Sequence, residues 1–406
     1  MRTNSSLTTS LKVFLFTKLF AYSQQAFVGI FMNIYLWRMT NDFYTIAFYN
    51  IIYSLFHGIA IIPSGKIIKE YNRLLPLRLG LLLKAIFLSL IIFLQQDIIQ
   101  HLGMVAAVGG IANGLYWASD DTLKIDLSTP ENRLTFASAA RIAKYFSKGL
   151  VPLIAGYIII KNGEALSSYS SIFVYAFVIT FISLISSFFI VGKSNSITEK
   201  YRFFSISSQL LKNKKIRIVV YSALLSQFSE TLPILLSLLL FLATGSEFSI
   251  GGYQFITLFI GVISNYLLMQ YFNRNDYKKL LKIGGIMNFI IVFILFFQQS
   301  FAALLLYGIL SSLFSVTDNP RHPIRMDTIS NYAQSAKKLS DIRVESLNLI
   351  ALFDILGKIL SYVLIGFLSY SLNFYLIASI AVILSLGKLS ANFILANIHE
   401  EEVRSL

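Results

Sequence analysis

Hydrophobic residues occur along this chain in long runs that are separated by short polar segments. Twelve runs between about residues 11 and 397 are long enough to cross a bilayer, residues 45–62 and 289–310 among them. A hydrocarbon core of roughly 30 Å needs about 20 helical residues at 1.5 Å rise each. Because a helix satisfies its own backbone hydrogen bonds in lipid, we predict that each run is a membrane-spanning α-helix.

A basic, polar stretch divides the runs into two sets of six. We therefore predict an all-α integral membrane protein with twelve transmembrane helices in two six-helix bundles related by a pseudo-two-fold axis. The predicted bundles are residues 1–192 and 217–406, and residues 193–216 form a basic cytoplasmic linker. Two pairs recur at offsets near 200 residues, Gly80 with Gly285 and Asp120 with Asp318, as duplication of one half predicts.

The composition excludes several classes of protein. With 56% hydrophobic and 13% charged residues, the chain has too little polar surface for a soluble body. The absence of cysteine excludes disulfides, thiolate metal sites and cysteine nucleophiles. The motifs of zinc proteases, serine hydrolases and phosphate-binding loops are missing, and acids at helix ends account for the cluster of Asp120, Asp121 and Asp126. We expect no enzyme, no metal site and no cofactor.

The net charge of +14 lies in alternate loops rather than on one face. One set of loops holds 18 lysines and arginines, with Arg321 and Arg325 among them, and the opposite set holds only Arg38 and Lys161. Positively charged loops stay in the cytoplasm, so we predict a multi-pass protein of the cell membrane with both termini cytoplasmic. The first run is kept as a span rather than a signal peptide. The cations are expected to contact anionic lipid, and no nucleic acid.

A specific motif lies between the fourth and fifth runs, where residues 126–133 read Asp-Leu-Ser-Thr-Pro-Glu-Asn-Arg. Alone, this motif is also explained by a helix start, with Thr129 as the cap and proline and glutamate in the first turn. In its context of twelve runs and paired halves, the spacing of Asp126, Glu131 and Arg133 resembles a cytoplasmic loop of the major facilitator superfamily. The resemblance implies two bundles that transport a solute by alternating access.

The loop after the second run carries the second landmark of that family. Gly65 and Arg73 match the family pattern, but Lys69 stands where the family has an acid that helps to lock the closed state. We expect Glu70 to replace that acid or the lock to be weak. Gly110 stands where drug exporters carry an arginine, and we interpret it as a site of close helix packing. The residues to which the resemblance assigns conformational gating are Gly65, Arg73, Asp120, Asp126, Glu131, Arg133 and Asp318.

Ionisable residues within the runs are the candidates for substrate or proton binding, because a charge at the centre of a span costs about 2.5 to 3.5 kcal/mol. Glu230 is the first candidate. It lies about 20 Å along its run from Arg217 at 1.5 Å per residue, near the midplane. Gln227 lies one turn earlier on the same face, and Pro233 is expected to loosen the helix.

The remaining candidates each have a simpler alternative. Lys18 could extend to the headgroups, whereas Lys148 lies too deep and should meet a carboxylate or an anionic substrate. Asp354 and Lys358 are spaced to neutralise each other. His57 serves either an interhelical hydrogen bond or a proton relay. The polar half of the first run supplies the last candidates, Gln24 and Gln25.

These residues describe a cavity of mixed sign. We therefore predict a proton-coupled, monomeric transporter of a small amphipathic or anionic solute, with Glu230 or Asp354 as the proton carrier, because burial favours the protonated carboxyl. Export is favoured over uptake by analogy with other family members. Two alternatives remain open: a flippase for a lipid or glycolipid, and a non-transporting membrane receptor or assembly factor with the same fold.

Overall fold

The computed structural model describes residues 7–129, 132–163, 166–191, 200–269, 276–297, 300–335, 342–370 and 373–404. These residues form α-helices joined by short turns and contain no β-strand. The helices of the first half are α1 (Thr9–Thr40), α2 (Phe43–Glu70), α3 (Leu75–Leu94), α4 (Leu102–Asp126), α5 (Arg133–Lys161), α6 (Leu166–Phe188) and α7 (Phe203–Lys212). Those of the second half are α8 (Lys214–Ser229), α9 (Leu232–Thr244), α10 (Glu247–Met269), α11 (Tyr277–Val292), α12 (Ile294–Phe297), α13 (Phe301–Leu313), α14 (Arg321–Ser335), α15 (Arg343–Gly366) and α16 (Phe374–Arg404).

Within the described residues, 10 helical stretches are long and apolar enough to cross a membrane. Some of these stretches combine consecutive helices: α8 with α9, α11 with α12, and α13 with the start of α14. The helices α1 and α4 are also long, at 32 and 25 residues, but lie outside this set. In α1, Lys18 and neighbouring glutamines lower the hydropathy, and in α4 glycines and polar residues do so ahead of the charged end that begins at Asp120. The predicted all-helical membrane fold is confirmed, while the predicted count of twelve spans is not.

The chain divides into two compact units: an N-terminal unit of Met1–Asn41, Ile52–Tyr201 and Ile250–Gln254, and a C-terminal unit of Asp42–Ile51, Arg202–Ser249 and Phe255–Leu406. In the N-terminal unit, α1 packs against α5 and α6, and α3 packs against α4 and α6. Apolar side chains such as Leu77 and Leu81 fill the centre. Hydroxyl groups also join the helices: Thr17 Oγ1 and Ser186 Oγ lie 2.8 Å apart, and Ser183 Oγ donates to the Thr17 carbonyl at 3.0 Å. Small hydroxyl residues allow the close approach that holds helices together in lipid.

The C-terminal unit repeats this pairing of helices. There α8 packs against α15 and α16, while α11 packs against α16 and against α13 with the turn that follows it. These pairs match those of the N-terminal unit. Helices α8, α11, α13, α15 and α16 have the same order in their half as α1, α3, α4, α5 and α6 have in theirs. Asn265 Nδ2 donates to Ser315 Oγ at 2.8 Å, and Asn319 Nδ2 donates to Asn265 Oδ1 at 2.8 Å, which ties α10 to the end of α13. Two units with the same pairing of helices are what duplication of one half produces.

Glycines set the distance between α4 and its neighbours. A Cβ atom on Gly80 of α3 would lie 2.7 Å from the backbone nitrogen of Tyr116, and one on Gly114 of α4 would lie 2.6 Å from the carbonyl oxygen of His57 on α2. A Cβ on Gly110 would meet the carbonyl oxygen of Tyr53. Backbone cannot move aside as a side chain does, so only glycine fits at these crossings.

Two predicted boundaries are wrong. Helix α5 begins at Arg133 with Asn132 in the N-cap position, so Thr129 does not cap it; Asn132 Oδ1 instead accepts from the backbone N–H of Thr129 at 2.8 Å. Pro130 and Glu131 lie outside the described residues. The segment after Asp318 was predicted to be a polar loop, but it forms α14, and the helical stretch that is long and apolar enough to cross a membrane continues to Ile329. Two cations within it prevented its recognition as a span.

Part of the predicted linker is also helical. Residues 192–199 lie outside the described residues, but α7 occupies residues 203–212 and packs against α15 and α8. Its buried residues Phe203, Ser207 and Leu210 fall on one face. Helix α7 therefore lies against the C-terminal unit as an amphipathic helix rather than as an extended connection.

We expect Gly114→Ala to lower the free energy of unfolding of the detergent-purified protein by about 1–3 kcal/mol, the range for overpacking a core, and therefore to lower its melting temperature. The matched control is Gly29→Ala in α1, where a Cβ atom would meet nothing within 4 Å. That change should leave the melting temperature unchanged or raise it, since alanine favours helix. Equal melting temperatures for the two variants would contradict the packing role of Gly114.

Candidate functional site

The N-terminal unit contains a group of charges between α1 and α4, buried at two members and partly exposed at the other two. We call it the N-terminal charge cluster: Lys18 and Asp120, which are buried, and Asp121 and Lys124, which are partly exposed. The ammonium of Lys18 forms an ion pair with Asp120 Oδ1, and both side chains are 0% exposed. Lys124 Nζ lies 2.7 Å from Asp120 Oδ2 and 2.7 Å from Asp121 Oδ1. Lys18 does not extend to the headgroups, which was the simpler alternative for this candidate, because its ammonium group pairs with the buried carboxylate of Asp120.

Aromatic rings enclose the same lysine. Lys18 Nζ lies 4.9 Å from the ring centre of Tyr22 and 5.8 Å from that of Trp117. Such cation–π contacts add to the ion pair when the site is dry. The Lys18–Asp120 pair therefore joins α1 to α4 by a contact that has no access to water in this conformation.

The loop between α2 and α3 is fastened to the end of α4. Arg73 forms an ion pair with Asp126, and the hydroxyl of Ser119 donates to the Arg73 carbonyl. Glu70 Oε1 accepts a hydrogen bond from the backbone N–H of Tyr201 at 2.9 Å. Gly65 is buried in the last turns of α2. Glu131 and the side chain of Arg133, the other gating candidates of this region, lie outside the described residues.

In the C-terminal unit the helix that carries the first candidate is interrupted. Helix α8 ends at Ser229 and α9 begins at Leu232, with Pro233 in its first turn. Glu230 occupies the break and its side chain is exposed; its backbone N–H donates to the Gln227 carbonyl at 3.1 Å. The helix is thus broken, not merely loosened, since proline cannot donate to the preceding turn.

The residue at the centre of this unit was not predicted as a site. Arg325 on α14 is buried; its Nη2 donates to the Ser222 carbonyl at 2.8 Å and to Ser226 Oγ at 2.7 Å, both on α8. Its Nη1 lies 3.8 Å from Asp354 Oδ1 on α15, and its charge also interacts with that of Glu230. Among the described residues the Arg325 Nε has no hydrogen-bond partner. We call Arg325, Ser226, Glu230 and Asp354 the arginine site.

This arrangement corrects two expectations. Arg325 had been counted among the cytoplasmic loop cations, because the sequence beyond Asp318 lacks a long apolar run. For Asp354 the simpler alternative was neutralisation by Lys358, four residues on, but the structure places Arg325 of another helix beside it instead. Lys358 itself is partly buried and forms no ion pair within the described part of the chain.

Asp318 lies at the counterpart position of Asp120 and holds a similar group of charges. Arg321 Nη2 and Lys388 Nζ each lie 2.8 Å from one of its oxygens, and Arg321 Nε donates to Asn392 Oδ1 at 2.7 Å. In both units an acid near the end of the fourth helix is therefore held by two basic side chains. This symmetry gives Asp120 and Asp318 the same mechanical role of joining helices.

The other predicted candidates are dispersed. Asn113 Nδ2 of α4 and Nδ1 of His57 are hydrogen-bonded at 3.3 Å. Gln24 is buried, and its Oε1 has no partner among the described residues, whereas Gln25 is exposed. Lys148 is exposed on α5. The structure thus brings some of the predicted residues together: Lys18 with Asp120, Arg73 with Asp126, and Glu230 with Asp354 through Arg325. Gln25 and Lys148 lie outside these groups.

Sequence reasoning also missed Lys84 on α3. Its side chain is 4% exposed and its Nζ lies 4.1 Å from the ring centre of Tyr116. The signal was available, because Lys84 is a single cation within an otherwise apolar run. No group of three or more histidine or acidic side chains suited to a metal ion occurs among the described residues. The contacts that these sites provide are ion pairs, cation–π contacts and hydrogen bonds.

Comparison with known proteins agrees with this architecture. The chain is 23% identical over 338 residues to the uncharacterized protein YqgE of Bacillus subtilis (strain 168), which covers 83% of this chain and 77% of that protein. The crystal structure of a bacterial homologue of the iron transporter ferroportin in an inward-facing state has a TM-score of 0.68 at 18% identity, covering 97% of this chain and all of that one. The E. coli fucose:proton symporter has a TM-score of 0.66 at 16% identity, covering 96% and 99%.

At these identities the solved structures establish the fold alone. The sequence profile of the Major Facilitator Superfamily matches residues 14–337, which is most of the chain. With the all-helical membrane fold and the repeated helix pairing of the two units, this match establishes that the chain belongs to the Major Facilitator Superfamily of transporters.

Proposed function

We propose that this transporter is proton-coupled and moves a small amphipathic or anionic solute across the cell membrane by alternating access. The observation that carries the proposal is the arginine site. A buried guanidinium there is held by α8 and faces Asp354 at 3.8 Å, a distance too long for a direct hydrogen bond. Two of the similar solved structures are described as proton symporters, for fucose and for D-xylose.

The looseness of the Arg325–Asp354 pair suits a group that exchanges partners. A carboxylate beside a buried cation stays ionised, and it accepts a proton once the cation is engaged elsewhere. Arg325 has a second anchor on α8, where Ser226 Oγ and the Ser222 carbonyl hold it. Movement between α8 and α15 would therefore separate Asp354 from the guanidinium and allow it to bind the coupling proton. We assign the proton to Asp354 rather than to Glu230, which is exposed.

The same site supports an anionic or amphipathic solute. The Arg325 Nε has no hydrogen-bond partner in the described residues, and a buried donor of this kind is costly unless a ligand or water engages it. Glu230 lies at the helix break, where its exposed carboxylate is accessible to a solute. We assign the anionic group of the solute to Arg325 and its polar or cationic part to Glu230.

The gating residues fit the same cycle. The Arg73–Asp126 ion pair and the Lys18–Asp120 pair fasten the cytoplasmic ends of helices in the N-terminal unit, and the Asp318 group does so in the C-terminal unit. We propose that these contacts stabilise the helix arrangement of each unit in one state of the cycle, with both termini in the cytoplasm, the chain acting as a monomer in the lipid bilayer, and export as the direction. Glu70 supplies the acid that Lys69 replaces in the family pattern.

A flippase for a lipid or glycolipid is the second candidate. The observation that favours it is the stripe of Arg141, Lys144 and Lys148 on α5, all of which are exposed. A row of cations along one helix suits an anionic headgroup. A non-transporting receptor is disfavoured, because burying a pair such as Lys18–Asp120 costs desolvation free energy and a scaffold has no function that requires it.

We expect Asp354→Asn to abolish proton flux driven by solute, because the amide cannot carry a proton. The measurement uses proteoliposomes with a trapped pH dye and a panel of anionic and amphipathic compounds, scored first on the wild type. Asp97→Asn, at an exposed position, is the matched control and should behave as wild type. Wild-type flux in Asp354→Asn would refute the assignment. Absence of flux with every compound, combined with movement of labelled lipid, would support the flippase.

We expect Glu230→Gln to keep proton flux coupled while raising the apparent KM for a cationic or polar amphipathic solute about tenfold, as the loss of one charged contact of about 1.4 kcal/mol predicts. Initial rates across a solute concentration series measure this. Uncoupled or absent proton flux in Glu230→Gln, with normal flux in Asp354→Asn, would exchange the two roles.

A further inference from the structure

Lys84 is a buried ammonium group that the proposed transport cycle does not use. It lies nine residues into α3, about 14 Å from the helix start at 1.5 Å per residue. Its side chain is 4% exposed. A lysine at such a depth in a membrane-spanning helix is expensive unless a partner compensates its charge.

The described residues give Lys84 no hydrogen bond and no ion pair. Its contact is with the face of the Tyr116 ring, 4.1 Å from the ring centre. The nearest carboxylate is Asp120, but both of its oxygens are occupied, Oδ1 by Lys18 and Oδ2 by Lys124. Two buried lysines, Lys18 of the cluster and Lys84 beside it, thus lie near a single buried carboxylate, that of Asp120.

The surroundings of Lys84 supply no other anion. Helix α3 packs against α4 and α6. From α4 the neighbouring charge is that of Asp120, which also pairs with Lys124, and Tyr116 is the covering ring. Helix α1 contributes Lys18, with Tyr22 beside it. Helix α6, residues 166–188, contains no lysine, arginine, histidine, aspartate or glutamate. The excess positive charge therefore remains within the cluster.

A cation–π contact offsets only a fraction of the free energy of taking an ammonium group out of water, so Tyr116 alone does not hold Lys84 as a cation. The neutral amine fits the same place, with an N–H directed at the ring. A proton is the ligand that suits a side chain as covered as that of Lys84, because it needs no cavity and changes the charge of the side chain when it binds.

We propose that Lys84, Lys18 and Asp120 form a second proton-binding site of this transporter. While Lys18 pairs with Asp120, Lys84 is a neutral amine against Tyr116. When α1 moves away from α4, the carboxylate of Asp120 becomes available, and Lys84 takes a proton from water and pairs with it, with no covalent bond in the protein broken. The use of this second site in transport rests on the proposed proton coupling, but the binding of a proton at the site does not.

Trp117 provides a reporter within the cluster. Its ring lies 5.2 Å from that of Tyr116 between centres, 5.8 Å from Lys18 Nζ and 5.6 Å from Lys124 Nζ. The chain has 2 tryptophans, so Trp37→Phe leaves Trp117 as the single one. Indole emission responds to nearby charge, and a proton gained by Lys84 changes the charge on the far side of the Tyr116 ring.

The test is a fluorescence titration of the full-length Trp37→Phe protein in nanodiscs between about pH 5 and pH 10, a range that covers buried lysines. We expect a one-proton transition in Trp117 emission that disappears in Lys84→Met and also in Lys84→Gln. The matched control Lys161→Met, at an exposed position at the end of α5, should keep it. Removing a buried unpaired amine should leave the melting temperature equal or higher, which establishes that the variants fold.

Two results would overturn the proposal: a transition that survives in both Lys84 variants, or no transition in the Trp37→Phe parent. Asp354→Asn in the same background separates this site from the arginine site, because it should keep the Trp117 transition even though it loses solute-driven proton flux. If the Trp117 transition is normal but neither the wild type nor any variant shows solute-driven proton flux, the proton-binding site is supported and proton-coupled transport is refuted.

Discussion

A charge inside a membrane-spanning helix has to be compensated within the protein, and both units of this transporter are organised around that constraint. In the N-terminal unit Asp120 receives Lys18 and Lys124, and in the C-terminal unit Asp318 receives Arg321 and Lys388. Each group joins helices that are distant in sequence. Because an ion pair in a medium of low dielectric constant is strong only at close range, it fixes those helices in one arrangement and releases them when it breaks.

Close helix packing is the second condition for these pairs. Hydrogen-bonded hydroxyls between α1 and α6, and glycines where α4 crosses α2 and α3, bring backbones close enough for short side chains to meet. The glycine at position 110, where drug exporters of the family carry an arginine, belongs to this packing. The N-terminal unit therefore uses that place for contact between helices, and its buried charges lie nearer the end of α4.

The two units differ in how well their charges are matched. The Lys18–Asp120 pair is fully buried and direct, whereas the Arg325–Asp354 pair is open at 3.8 Å and lies next to the helix break at Glu230. A closed pair resists change, while a loose pair beside a break can exchange its partner for a proton or a solute at low cost. This contrast supports the proposal that the solute binds in the C-terminal unit.

The sequence by itself determined the membrane class, the helical fold, the duplication and the family, because runs of apolar residues and loop motifs are local properties. It also identified Glu230, Asp354 and Lys18 as costly charges. Only the tertiary structure decided their partners, since Lys18 meets Asp120 and Asp354 meets Arg325 across more than 25 residues of chain. Arg325 and Lys84 were overlooked because hydropathy counts a cation without showing whether lipid, water or another helix surrounds it.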